Sequence, residues 1–335
     1  MSSLISRRLG RDGPTVQIPG YGAMTIGLSS ESLENRFKVL DRAYELGCTF
    51  WDTADIYGDS EALIGQWLKR TGRRNDIFLA TKFGITLVDG MMGSRNDETY
   101  IRECLAQSLR KLKTDTIDLY YCHRLDGITP IENVVKVMAE LQSEGKIKYI
   151  GLSEVSSDSL RRACKVAKIS AVQVEYSPFS LEIESPTTAL LETCRELGVA
   201  VVAYSPLGRG FITGQYKSRS DLPEDDYRRH YPRFSEENFA KNLDLVHGFE
   251  AVGKKVMASP GQVCLAWLMA QGDDIIPIPG TRKIRYLEEN IRSVEVHLDK
   301  NDLISIRESV NNAEVAGSRA PPGFDLGLFA DSPLL

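Results

Sequence analysis

The stretch "CTFWDTADIYGDSE", residues 48–61, begins apolar at Phe50 and Trp51 and turns abruptly polar at Asp52, Thr53, Asp55, Tyr57 and Gly58. A short apolar run bounded by such a break reads as a buried strand. This strand feeds a core and yet ends in a carboxylate, with a tyrosine five residues on. That combination calls for a fold whose strand ends carry chemistry.

Working outward, the same pattern recurs. Apolar runs stand at 49–52, 77–82, 117–123, 147–153, 171–176, 199–205 and 274–280, and an eighth, "VQIPGYG" at 16–22, precedes them. Helix-period segments lie between them at 29–47, 95–113, 131–145, 157–168, 187–198, 260–272 and 285–294. The first starts at serines and stops at glycine, as end-capping chemistry favours. Strands alternating with helices imply a parallel sheet, either open and doubly wound or closed into a (β/α)8 barrel. An open dinucleotide-binding sheet should carry G-x-G-x-x-G after its first strand. Here Gly20 and Gly22 are present, but Thr25 takes the third place. The count of eight and the length of 335 residues favour the barrel. The expectation is a single α/β domain over 1–335, a (β/α)8 TIM barrel with its core at about 16–310 and a tail at 311–335.

A barrel places its chemistry where the strands run out. The runs end in Asp52, Lys82, His123, Ser153, Gln173 with Tyr176, and Tyr204 with Ser205. Three titratable residues closing three consecutive strands, with Tyr57 just past the first, point to a site at that mouth.

Composition narrows the alternatives. The chain is 42% hydrophobic and 26% charged with a formal net charge of -5, ordinary globular proportions without the basic face that nucleic acid rewards. Six scattered cysteines form no CxxC pair, so neither a zinc site nor a disulfide framework is expected. No apolar stretch approaches the ~18 residues of a membrane span. The opening "MSSLISRRLG" lacks the apolar run of a secretory leader. A cytoplasmic protein with no metal, no nucleic-acid partner and no membrane partner is expected.

Taken together, "GCTFWDTADIYGDSEALIGQWL", "LATKFG", "IDLYYCHRLD", "GKIKYIGLSE", "QVEYSPF", "VVAYSPLGRG" and "IPIPGTRK…LEEN" resemble the aldo-keto reductases from about residue 16 to 310. Within them the chain is most similar to the fungal and plant NADP-dependent group that includes perakine reductase. The resemblance implies a barrel oxidoreductase that reduces an aldehyde or ketone with NADPH. It also implies the catalytic tetrad Asp52, Tyr57, Lys82 and His123. A carbonyl that accepts hydride becomes an alkoxide and needs a proton, which Tyr57 would give. A buried cation beside the phenol favours the phenolate left behind, the part of Lys82. Asp52 would keep Lys82 charged, and His123 would hydrogen-bond the substrate oxygen.

The resemblance also implies cofactor contacts. Ser153 and Gln173 match positions that bind the nicotinamide carboxamide. The usual Ser-Asn is here Ser153-Glu154, and a glutamate can only accept a hydrogen bond there. Tyr204 matches the aromatic stacked on the nicotinamide. Ser205, Leu207, Gly208, Arg209 and Gly210 would follow the pyrophosphate, and Ala23 and Met24 the ribose and nicotinamide. Gly280, Thr281, Arg282 and Lys283 fall where the 2′-phosphate is held, and Glu289 and Asn290 where adenine is contacted. Many members carry Lys in place of Gly280 and Arg in place of Tyr286.

The stretch at 214–241 is long, charged and irregular, and a loop of that length is functional or disordered. The Gly/Pro-rich tail either packs across the mouth or is loose. Its partner is expected to be a small carbonyl substrate, with the chain a monomer or weak oligomer. The competing class is an NADPH-binding regulatory subunit, resembling potassium-channel β subunits.

Overall fold

Eight parallel strands close into a ring in the computed structural model of the chain, which describes residues 4–88, 90–321 and 327–335. In order they are Tyr21–Gly22, Phe50–Asp52, Phe78–Phe83, Ile117–Cys122, Ile147–Ser153, Ile169–Glu175, Ala200–Tyr204 and Ile275–Pro277. Each pairs in parallel with the next. The first and last strands meet through backbone: the Gly20 N–H donates to the Pro277 carbonyl at 2.9 Å and that of Gly22 to Pro279 at 3.2 Å. The seam has no room for side chains. A Cβ on Gly280 would lie 2.6 Å from the Gly22 carbonyl oxygen, and one on Gly22 would lie 2.7 Å from that of Ile278. The lysine common at the Gly280 position therefore has no space in this backbone.

The run at 16–22 is not one strand. Thr15–Ile18 pairs antiparallel with Ile5–Arg8 in a hairpin, and only Tyr21–Gly22 joins the barrel. The hairpin's Leu9, Val16 and Ile18 pack with Phe50, Ala80, Leu119, Tyr121, Ala171 and Val202, the inward residues of the strands. Strand period 2 sends the alternate residues outward to the helices. Trp51 is one of these. It packs on Trp67 at 4.7 Å, on the helix Ser60–Thr71. That helix was not marked in the sequence, nor were Glu236–Val256 and Lys300–Asn312.

Three irregular segments crown the mouth. The stretch after Gly214 runs through short 3-10 turns and becomes helical at Glu236, so the last residues of the expected 214–241 loop belong to a helix. A β-hairpin, Ile85–Val88 with Met91–Ser94, follows the third barrel strand. The described part of the tail is docked, and its residues 322–326 lie outside the described residues. The Ala330 N–H donates to the Glu154 carbonyl at 2.8 Å, the Ser156 N–H to the Ala330 carbonyl at 3.0 Å, and the Ser332 N–H to Ser159 Oγ at 2.9 Å.

Candidate active site

Inward parity selects the site. Asp52 follows Phe50 on the inner face, Lys82 follows Ala80, His123 follows Tyr121, Gln173 follows Ala171 and Tyr204 follows Val202. At the mouth the inward positions are polar because the apolar layers below already fill the barrel. Lys82 is fully buried and Asp52 is 2% exposed. Lys82 Nζ donates to Asp52 Oδ1 and, at 2.7 Å, to the Thr53 carbonyl. The other carboxylate oxygen, Oδ2, accepts from Gln173 Nε2 at 2.8 Å. Tyr57, on the loop above, lies with its ring centroid 4.9 Å from Lys82 Nζ. Its ring meets His123 edge-on at 5.7 Å. The four residues are therefore together.

Burial works against the Lys82 ammonium, but Asp52 and then Tyr57 outweigh it and hold the lysine above its ordinary value. Burial likewise pushes the Asp52 carboxyl up against the pull of Lys82. Asp52 keeps an ammonium and an amide donor on its two oxygens, which favours the ionic pair. Burial, Arg124 and Lys82 push the His123 imidazole well below its ordinary value, so it is neutral. Its Nδ1 has no hydrogen-bond partner among the described residues. His230, His247 and His297 are exposed.

The remaining expected residues divide. The Ala23 N–H donates to the Asp52 carbonyl at 2.8 Å, and Met24 begins a short helix, so both border the tetrad. Ser153 is buried and its Oγ accepts from Arg124 at 3.1 Å. Ser205, Gly208, Arg209 and Gly210 all have positive φ, at 48°, 57°, 55° and 87°. Leu207, before Gly208, is at φ -104°, so its carbonyl turns to accept from the Gly210 N–H at 3.0 Å. The Arg209 guanidinium faces Glu175 at 3.5 Å and stacks over Tyr231 at 4.5 Å. Thr281 is buried, whereas Arg282 and Lys283 stand in solvent. Glu289 accepts from Ser259 Oγ, and Asn290 is buried with its carbonyl accepting from Ser293 Oγ at 2.6 Å. Tyr286 donates its hydroxyl to Gln215 at 2.9 Å.

Glu154 stands apart from its expected part. Its carboxylate is fully buried and already occupied. Oε1 accepts from the Glu175 N–H at 3.1 Å, the Tyr204 hydroxyl at 2.9 Å and Arg319 Nη1 at 2.9 Å, and Oε2 accepts from Arg319 Nη2 at 2.7 Å. Burial works against its charge, but the Arg319 fork prevails and holds the carboxyl below its ordinary range. A carboxylate so used has little left for a cofactor amide.

The sequence reading missed this buried charge cluster, in which Glu175, Arg233 and Arg319 join Glu154 and Arg209. Glu175 was within reach, because it continues the inward series Ala171, Gln173. Arg319 sits in a segment without periodicity, and nothing local announces it. Asp55, two residues before Tyr57, is a second acid of note near the mouth. Burial and then Glu61 push its carboxyl up to about 7, and its Oδ1 has no partner among the described residues. Among the described residues no cluster of His, Cys, Asp and Glu suits a metal ion, and no helix is long and apolar enough to cross a membrane. All six cysteines are free thiols.

Comparison with known proteins agrees with this fold. The Aldo/keto reductase family matches residues 20–311. Aldo-keto reductase str7 of Strobilurus tenacellus is 53% identical over 94% of this chain and 95% of its own length. Aldo-keto reductase yakc [NADP(+)] of Schizosaccharomyces pombe is 50% identical over 99% of this chain and 98% of its own. Among solved structures, the glycerol dehydrogenase AKR11B4 from Gluconobacter oxydans superposes with a TM-score of 0.84 at 26% identity, over 95% of this chain and 98% of that one.

Proposed function

This chain belongs to the aldo/keto reductase family, and from that premise we propose that it reduces an aldehyde or ketone to the alcohol, with Tyr57 as proton donor and NADPH as the source of hydride. The observation that carries the reading is the buried Lys82–Asp52 pair beneath Tyr57 and His123 at the barrel mouth.

The residues present suit that cofactor. The turn at 205–210, with four left-handed residues after the seventh barrel strand, lies where the family resemblance puts the pyrophosphate. Ser153 and Gln173 lie at the inner mouth, and Tyr204 presents a ring at the end of its strand. Arg282 and Lys283 offer two solvated cations to a 2′-phosphate. The relative named with NADP(+) supports the same choice.

The chain's own residues supply orientation and the proton. His123 is neutral, so its imidazole carries one N–H to donate to the carbonyl oxygen. Tyr57 gives its hydroxyl proton to that oxygen as charge develops there. Lys82 then faces a phenolate, and its fixed, fully buried ammonium stabilises that charge. Asp52 orients Lys82 and supplies the counter-charge that burial would otherwise deny it.

The test is a panel of small aldehydes and ketones followed by loss of NADPH absorbance. Multiple turnovers are expected. Tight NADPH binding without turnover on any of them would replace this reading with that of a cofactor-binding regulatory subunit.

A further inference from the structure

Besides its backbone contacts at Ala330, the tail sends a charged side chain into the mouth. Arg319, 5% exposed, forks onto both oxygens of Glu154 at 2.9 and 2.7 Å. Its Nη1 also lies 3.3 Å from the Tyr204 hydroxyl, which itself donates to Glu154 at 2.9 Å. The arginine is stacked over Phe329 of the same tail at 5.0 Å. Glu154 follows Ser153 directly and has φ 51°, a left-handed conformation that a residue with a Cβ adopts only under constraint. The tail thus grips the turn after Ser153 and the hydroxyl of Tyr204 together.

We infer that Arg319 is a positioning residue for the reduction: acting through Glu154, it fixes Ser153 and Tyr204, so that docking of the tail and seating of the nicotinamide are one event. This rests on the proposed placement of the nicotinamide between those two residues. Bidentate geometry is what makes the grip directional. The planar fork sets the rotation of the carboxylate, and the carboxylate sets the turn. A lysine would keep the charge and lose the fork. With the cation gone, Glu154 would be left fully buried without its counter-ion, a state that proteins relieve by protonation or by moving the group. Either relief loosens the carboxylate's hold on the Tyr204 hydroxyl and the Glu175 N–H.

The experiment compares the wild type with Arg319→Met, Arg319→Lys, Glu154→Gln and the double variant Glu154→Gln/Arg319→Met. NADPH Kd is read by fluorescence quenching, and the hydride step by single-turnover decay of NADPH absorbance at saturating cofactor. Arg319→Met is expected to weaken NADPH about tenfold or more and to slow the single turnover, because a buried charge has lost its partner. Arg319→Lys should fall between it and the wild type. The double variant should be no worse than Arg319→Met alone, because the two side chains act as a unit. A general loss of tail packing would raise KM for the carbonyl and leave NADPH Kd and the saturated single turnover unchanged. That result overturns the inference, as does strict additivity in the double variant. If Arg319→Met fails to fold, Arg319→Lys with wild-type Kd and wild-type single turnover overturns it equally. A wild type that does not bind NADPH defeats the cofactor reading and this inference together, whereas wild-type behaviour in the variants defeats this inference alone.

Discussion

Replacing Tyr57 by Phe removes one oxygen and little else. The ring would keep its edge contact with His123, now 5.7 Å between centroids, and its place 4.9 Å from Lys82 Nζ. Lys82 would keep Asp52 and the Thr53 carbonyl as acceptors, so no buried charge is stranded. The fold therefore loses at most one hydrogen bond to a charged group, about 1.5–3 kcal/mol, and less because the tyrosine is partly exposed and water can replace it. The reaction loses its positioned proton donor, which typically costs about 10²–10⁴-fold. At 1.36 kcal/mol per decade that is roughly 2.7–5.4 kcal/mol of barrier. The two effects separate in one set of assays: kcat by NADPH absorbance, NADPH Kd by fluorescence quenching, and the melting temperature. A fall in kcat of at least about a hundredfold with little change in Kd is expected. A folded Tyr57→Phe protein within about threefold of wild-type kcat would refute the reasoning, since a step that has lost its proton source cannot keep its rate.

Other perturbations have equally definite outcomes. Lys82→Met leaves Asp52 buried against Gln173 alone, so it should cost about 3–5 kcal/mol of stability in denaturant melts and alter the pH–rate profile; an unaltered profile with a modest drop would make the lysine structural. Neutralising Arg282 and Lys283 together should weaken NADPH by roughly a hundredfold while leaving NADH nearly unchanged, two charge-assisted contacts at the low end of their range; equal losses for both cofactors would show that the turn serves folding. Asp55 has its folded value raised to about 7, above an unfolded value near 3.9, so the folded state binds its proton more tightly and stability falls as pH rises from about 4 to 7. Asp55→Asn should accordingly raise the melting temperature at pH 8 and do little at pH 4; a uniform shift at both would assign the effect to packing.

Much of the barrel was legible because its strands are short apolar runs with sharp ends. The run at 147–153 coincides with its strand, and Asp52, Lys82 and His123 stood at strand ends where parity turns inward, with Tyr57 on the loop beyond the first. The first run misled because Pro19 lies between two apolar pieces that serve different sheets. The helix Ser60–Thr71 escaped because its start shares residues with the functional loop before it. The engagement of the Glu154 carboxylate was hidden for a non-local reason. Its partner is 165 positions away in a tail without pattern, and only the folded chain brings the arginine to it. The cations of the 281–283 turn are visible in sequence as charges, but their solvation is not.

The glycine seam between the first and last strands has a consequence in time. Gly20 and Gly22 find their acceptors at Pro277 and Pro279, roughly 250 residues downstream. At about 5–20 residues per second of synthesis, the first strand waits on the order of 10–50 s as an open edge. Seven strands can pair as they emerge, yet the ring stays a curled sheet with two bare margins until the eighth arrives. During that interval Ala23 and Met24 have no wall opposite them. The mouth is therefore among the last parts of the molecule to take shape, and exposed margins of this kind are where a nascent sheet is most open to pairing with another chain.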